Sequence, residues 1–200
     1  MAETWRATAK AHRRQQLLDA AAHLFAERGF NGVSIEELGG AAGVSGPALY
    51  RHFPSKEAML GELLIGASQR LLDGCTRILA GKVTNEQALR DLVDFHVDFA
   101  LSEPDIIRLQ DRELASLPPE VNRGVRMLQR RYVQEWVALV AQLAPATPIA
   151  EIEVRVHATF GLLNSTPHNA RLADVADARG VLAEMAIVGM LSARTTIDTR

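Results

Sequence analysis

The residues best suited to chemistry sit close together: Tyr50, Arg51, His52 and Lys56 follow directly on Ser45-Gly46-Pro47. A tyrosine hydroxyl donates to phosphate and its ring packs on a thymine methyl. An arginine reads guanine or grips phosphate, and a histidine and a lysine at a helix exit hold the backbone. Ser45 and Gly46 are small, so a helix opening on them approaches a surface closely. Pro47 in the first turn gives up an N–H that lacks a helical partner in any case. Tyr50 and Arg51 stand three and four residues after Pro47 and project from one side. Ser34 opens an earlier helix, where free N–H groups make a further phosphate site. The chemistry is that of contact with double-stranded DNA.

Placing these groups requires short helices and a tight turn. Arg13–Arg28 puts Leu17, Ala21, Leu24 and Phe25 on one face and stops at Gly29. Ser34-Ile35-Glu36-Glu37 is a capping box, after which Ile35, Leu38 and Ala42 face inward as far as Gly43. Beyond that turn Leu49 and Phe53 are four apart and bury together, leaving the polar groups outward. Pro54 ends the helix, and Ser55 caps a long one reaching about Leu79, with Glu57 in its first turn. Helix, helix, glycine turn and short helix form a helix-turn-helix, whose second helix enters the major groove.

Further helices are expected over Asn85–Leu101, Asp105–Leu117, Pro119–Leu143, Ile149–Leu163 and Val175–Ala193, punctuated by Gly81, Pro104, Pro118-Pro119, Pro145, Pro148 and Pro167. No stretch alternates like a strand, and no repeat or low-complexity segment occurs. The expectation is all-α: an N-terminal helix-turn-helix domain over 1–56, with a flexible tail at 1–11, joined to a larger helical bundle over 57–200. Tail cations Arg6, Lys10, Arg13 and Arg14 either track DNA or stand in solvent.

Charge and composition agree. Of 22 Lys and Arg and 24 Asp and Glu, residues 1–56 hold 7 and 5, so this part is +2 and the remainder −4. That asymmetry suits a chain with one end facing phosphates. Nineteen of the basic residues are Arg, which reads as a GC-rich genome. The single cysteine, Cys75, excludes an internal disulfide framework and fits a reducing cytoplasm. No apolar run approaches a membrane span and the N-terminus lacks a signal-peptide pattern. No Ser–His–Asp, paired-carboxylate or metal-spacing arrangement stands out, and His96, His157 and His168 are far apart in sequence, so neither an enzyme nor a metal or cofactor site is expected.

The span from about Arg13 to Leu60 resembles the DNA-binding domain of TetR-family transcriptional regulators. The resemblance rests on LLDAAAHLFAERGF, on Ser34-Ile35 opening the second helix, on AAGVS at the turn, and on LYRHFPSKEAM. It implies a cytoplasmic homodimer on a palindromic operator, with recognition contacts at Ser45, Gly46, Pro47, Tyr50 and His52 and phosphate contacts at Ser34 and Lys56. Arg51 is added from its chemistry. Gly39 departs from the family's usual alanine and is expected to loosen the second helix by up to about 1 kcal/mol without removing a contact.

For the C-terminal part the resemblance implies a dimer interface on the last two long helices and a pocket for a small inducer among the middle ones. Phe160, Leu163, Val181, Met185, Val188 and Leu191 form apolar stripes suited to the interface. Polar or aromatic groups on apolar faces suggest the pocket: His96, Phe99, Arg108, Arg112, Tyr132, Trp136, His157 and Asn164. RLQDRELASLPPEVNRGV is similar to members that sense acyl-CoA thioesters. The implied function is a repressor released from its operator by a small hydrophobic or acyl-CoA-like ligand. The alternative is a regulator controlled by a protein partner, or one that answers to no ligand.

Overall fold

The computed structural model describes residues 2–82, 84–165 and 177–192. The expected helix limits Val175 and Ala193, together with Pro167 and His168, lie outside the described residues, as does the Arg6 side chain. Among the described residues the chain forms helices, turns and no strand. In order these are α1 (Ala2–Arg28), a 3-10 turn (Phe30–Gly32), α2 (Ile35–Ala41), α3 (Gly46–Leu49), α4 (Lys56–Gly81), α5 (Asn85–Ser102), α6 (Pro104–Arg112), a second 3-10 turn (Leu114–Ser116), α7 (Pro119–Leu143), α8 (Ile149–Leu163) and α9 (Ala178–Leu191). Helix α1 runs back to Ala2, through the stretch expected as a tail. Alanines at 2, 7, 9 and 11 favour helix, and neither Gly nor Pro interrupts them.

By packing, the chain divides into two compact units, residues 1–69 with 105–128, and residues 70–104 with 129–200. The boundary expected after residue 56 falls within the first. In that unit Leu17, Ala21, Phe25, Leu38, Leu49, Phe53, Met59 and Leu60 are buried. Each fully buried Leu or Phe contributes about 1.5–3 kcal/mol relative to exposure. Segment 105–116 is laced to the end of α1: Arg112 donates to the Ala26 carbonyl, Glu113 Oε1 accepts the Phe30 N–H at 3.2 Å, and His23 Nδ1 lies 3.2 Å from Asp105.

The second unit buries Leu89, Leu92 and Val93 of α5, Leu139 and Val140 of α7, Ile152, Val156 and Leu163 of α8, and Leu182, Ala186 and Met190 of α9. Two arginines hold α9 at its ends. Near its start, Arg179 forms ion pairs with Asp98 at 2.7 Å and Asp94 at 3.2 Å, both on α5. At its finish, Arg155 of α8 donates to the carbonyls of Met190 and Ser192 while its other nitrogens hold Glu151. The last carbonyls of a helix lack intrahelical partners, so a cation there satisfies them and meets the negative helix end.

Candidate nucleic-acid interface and aromatic cluster

In the first unit the α2–α3 turn is built from its ends inward. Ser34 Oγ accepts the Glu37 N–H at 3.2 Å and Glu37 Oε2 accepts the Ser34 N–H at 2.8 Å, closing the capping box. These hydrogen bonds, with Arg28 and Lys56 nearby, hold the Glu37 carboxyl below the usual carboxylate range. Gly43 takes φ 69°, a left-handed conformation that costs glycine little. Leu49 and Phe53 are sealed in the core and fix the inner side of α3.

Opposite them, Ser45, Pro47 and Arg51 are exposed, and Tyr50 is 55% exposed. Tyr50 and Arg51 thus stand outward on a base that Leu49 and Phe53 bury. Gly46 is buried against α2, where an added Cβ would stand 3.5 Å from Ile35 Cγ2, so its contribution is close packing of the two helices. His52 is half-buried; its carbonyl accepts from Arg14, and its Nδ1 has no hydrogen-bond partner among the described residues. Ser34 is exposed, and its hydroxyl donates to Glu37.

Lys56 has an intrachain engagement that its sequence position does not suggest. Its Nζ donates to the carbonyls of Val33 at 2.6 Å and Phe30 at 3.0 Å, and lies 4.7 Å from the Phe30 ring centroid. Two of an ammonium's three donors are thereby used to fasten the 3-10 turn to the start of α4. Arg14, offered at first as a tail cation, is likewise structural: it stacks 4.0 Å over the Phe53 ring and pairs with Glu62.

Gly39 corrects an expectation. It is buried, and an added Cβ would lie 2.8 Å from the Val44 carbonyl oxygen, 3.0 Å from Gly46 N and 3.1 Å from Ser45 C. The missing side chain is what lets the start of α3 lie on α2, a role beyond a small loosening of the helix.

The second unit gathers five of the eight expected pocket residues. His96 and Phe99 of α5, Tyr132 and Trp136 of α7, and Asn164 following α8 meet around Phe160. Phe160 centroids lie 5.0 Å from His96, 5.0 Å from Trp136 and 5.6 Å from Tyr132. His96 Nε2 is 3.1 Å from Asn164 Oδ1, and its Nδ1 is 3.1 Å from Tyr132 Oη. An amide oxygen only accepts, so Nε2 carries the proton and Nδ1 accepts the tyrosine O–H. Burial holds the His96 pKa down at about 4 against the Asn164 hydrogen bond, and raises that of the Tyr132 phenol. Trp136 is fully buried. Its Nε1–H has no partner meeting hydrogen-bond geometry, although the Tyr132 phenol is its neighbour. Cys75 is buried too, its thiol pushed up to about 12 chiefly by desolvation, which leaves it unreactive.

The other three expected pocket residues are placed elsewhere. Arg108 and Arg112 belong to the first unit, where Arg108 pairs with Asp105 at 3.0 Å and Arg112 caps α1 through Ala26. His157 is exposed and donates to the Glu153 carbonyl at 2.8 Å. Of the apolar stripe expected between subunits, Phe160 and Leu163 point into their own chain. Val181, Met185, Val188 and Leu191 are exposed along one side of α9. Sequence reasoning missed an open cleft of about 780 Å³ between α4 and α5, lined by Arg70, Arg77, Phe95, Asp98, Phe99 and Glu103 among others. An added Cβ at Gly74 would stand 2.1 Å from Phe95 Cζ, so Gly74 is what admits that ring. Among the described residues no cluster of His, Cys, Asp and Glu could hold a metal ion, and no helix is long and apolar enough to cross a membrane.

Comparison with known proteins matches two stretches of the chain. Residues 17–63 match the model described as bacterial regulatory proteins, tetR family, and residues 82–168 match the tetracyclin repressor-like C-terminal domain. The HTH-type transcriptional repressor KstR2 of Rhodococcus jostii is 40% identical over 127 residues, 60% of this chain and 62% of that protein, just under two thirds of its length. A TetR-family transcriptional regulator from Bordetella parapertussis has the same fold, with a TM-score of 0.82 at 24% identity over 94% of this chain and 98% of that one. AibR, solved with isovaleryl coenzyme A and operator DNA, superposes with a TM-score of 0.75 at 19% identity over 90% and 97% of the two chains.

Proposed function

We propose, from the premise that this chain belongs to the TetR family of transcriptional regulators, that it is a sequence-specific DNA-binding repressor released by a small hydrophobic or acyl-CoA-like ligand. The observation that carries the reading is the exposed side of α3, with Tyr50 and Arg51 outward and Leu49 and Phe53 sealed beneath them. Residues 1–56 form the reader in this proposal and 57–200 the sensor and dimerisation part. Tyr50, Arg51, Ser45 and Pro47 meet base edges or the adjacent backbone. Gly46 permits the approach, and His52, Ser34 and the remaining Lys56 donor serve phosphates.

The exposed stripe Val181, Met185, Val188 and Leu191 supports a homodimer built on α9. A two-fold axis sets two copies of α3 about 34–36 Å apart, one turn of a palindromic DNA site. Helix α4 runs unbroken from Lys56 to Gly81, so a shift of its far half on ligand binding moves its first turn as well. The ligand need only prefer the displaced state by a few kcal/mol. The protein works in the cytoplasm by binding, with no catalytic step. KstR2, a repressor, and AibR, captured with a CoA ester and operator DNA, support this reading.

Fluorescence anisotropy with labelled DNA flanking the gene tests it. A palindrome-dependent rise in anisotropy is expected, and Tyr50→Ala should weaken the complex about tenfold or more. A variant that binds as tightly as the parent would remove α3 as the reader.

A further inference from the structure

The α4–α5 cleft and the aromatic cluster share one residue. Phe99 lines the cleft and also lies 6.1 Å from the His96 ring, so it separates an open groove from a closed ring cluster within the same unit. The cleft is of the size that takes a small ligand. Its charge does not suit an anion. Arg70 and Arg77 face Asp73, Asp98 and Glu103, and Arg70 is already paired with Glu103 at 2.5 Å.

Behind Phe99 every fully buried side-chain polar atom of the cluster but one is engaged. His96 is neutral, with both nitrogens hydrogen-bonded, the Tyr132 proton points at His96, and Asn164 Oδ1 is taken. Trp136 Nε1–H, fully buried, has the Tyr132 phenol beside it but no partner in hydrogen-bond geometry, and is the buried donor left over. Among the described residues no lysine or arginine hydrogen-bonds to any member of the cluster. A buried, unmatched donor is costly, and a ligand acceptor relieves that cost.

We infer that the regulatory ligand is an uncharged molecule with an apolar body and a carbonyl oxygen that accepts from Trp136 Nε1, entering from the α4–α5 cleft past Phe99. The inference rests on the ligand-responsive reading above and narrows it: carboxylates and CoA esters, with their negative charge, are disfavoured at this site.

Trp5 and Trp136 are the two tryptophans, and Trp5 is 74% exposed on α1, so a Trp5→Phe protein reports Trp136 alone. Its single indole N–H resonance is followed while four probes with one ring are titrated: cyclohexyl methyl ketone, ethylcyclohexane, cyclohexanecarboxylate and cyclohexanecarbonyl-CoA. The ketone should move the resonance downfield and bind about two- to tenfold tighter than the hydrocarbon, the worth of one neutral hydrogen bond. The carboxylate and the CoA ester should bind at least about tenfold more weakly than the ketone. In Trp136→Phe protein, calorimetry should find the preference for ketone over hydrocarbon gone. Should that variant not fold, the indole shift in Trp5→Phe protein decides. Tighter binding of the carboxylate or CoA ester, ketone binding with an unmoved indole, or no binding of the ketone would overturn the inference. DNA binding is measured on the same samples. An indole that moves while DNA stays bound sinks the regulatory reading and leaves the ligand class standing, whereas ligand-free protein that never binds DNA sinks the reader.

Discussion

Gly39 and Gly40 are neighbours in α2 with opposite surroundings, and substituting alanine at each separates propensity from packing. At Gly40 an added Cβ meets nothing within 4 Å and the residue is exposed. Gly40→Ala should therefore show the bare helix-propensity gain, about 0.5–1 kcal/mol of added stability. At Gly39 the same gain is offset by three backbone contacts between 2.8 and 3.1 Å, from Val44, Ser45 and Gly46. Backbone cannot rotate aside as a long side chain does, and overpacking of this kind costs about 1–3 kcal/mol. The net expectation for Gly39→Ala is a loss of up to about 2 kcal/mol. Because the atoms pushed belong to the residues that start α3, operator affinity should fall as well, by more than stability alone accounts for. Urea unfolding of both variants, with anisotropy on operator DNA, makes the comparison. Equal stabilisation by the two alanines, with DNA binding intact, would refute the claim that Gly39 sets the α2–α3 approach.

Three further outcomes are expected. His96 has a folded pKa near 4, below the unfolded value of about 6.5. The unfolded chain therefore binds the proton first, so its contribution is complete above about pH 6.5 and is lost as pH falls toward 4. This amounts to on the order of 3 kcal/mol, and urea midpoints that stay level across that window in the parent, or a His96→Gln variant with the same slope, would contradict it. Met185→Glu, at a position 51% exposed on α9, should leave a folded monomer by light scattering, whereas a persisting dimer places the interface elsewhere. Lys56→Met should lower stability by about 1–3 kcal/mol through loss of its carbonyl bonds, and a drop of about one in the salt slope of DNA binding would add a phosphate contact to that role.

What the sequence disclosed, and what it did not, divides by range of interaction. The capping box at Ser34 and Glu37, the turn glycine Gly43 and the pair Leu49 and Phe53 are local patterns, and each was readable from spacing alone. Tyr132 and Trp136, or His96 and Phe99, likewise share helix faces, so their meeting followed once α5 and α7 were recognised. The failures come from contacts made across many residues. Arg112 looks like a pocket cation because it follows Pro104, yet the Ala26 carbonyl that holds it becomes its neighbour only on folding, whereas Arg108 is held by Asp105 three residues before it. Leu163 and Met185 are both apolar helix residues, and only the packing of α8 and α9 decides which faces inward. The obstruction at Gly39 exists only because α3 comes back across α2.

The two arginines that hold α9 also bear on how its outer side meets another molecule. With Arg179 fixed to Asp94 and Asp98 at one end and Arg155 on the final carbonyls at the other, Val181, Met185 and Val188 are displayed on a helix whose ends are already ordered. Ordering a surface at the moment of encounter is a large entropic charge against association. Here most of it is met during folding, so two subunits should join as preformed bodies, at a rate set by their collision and orientation.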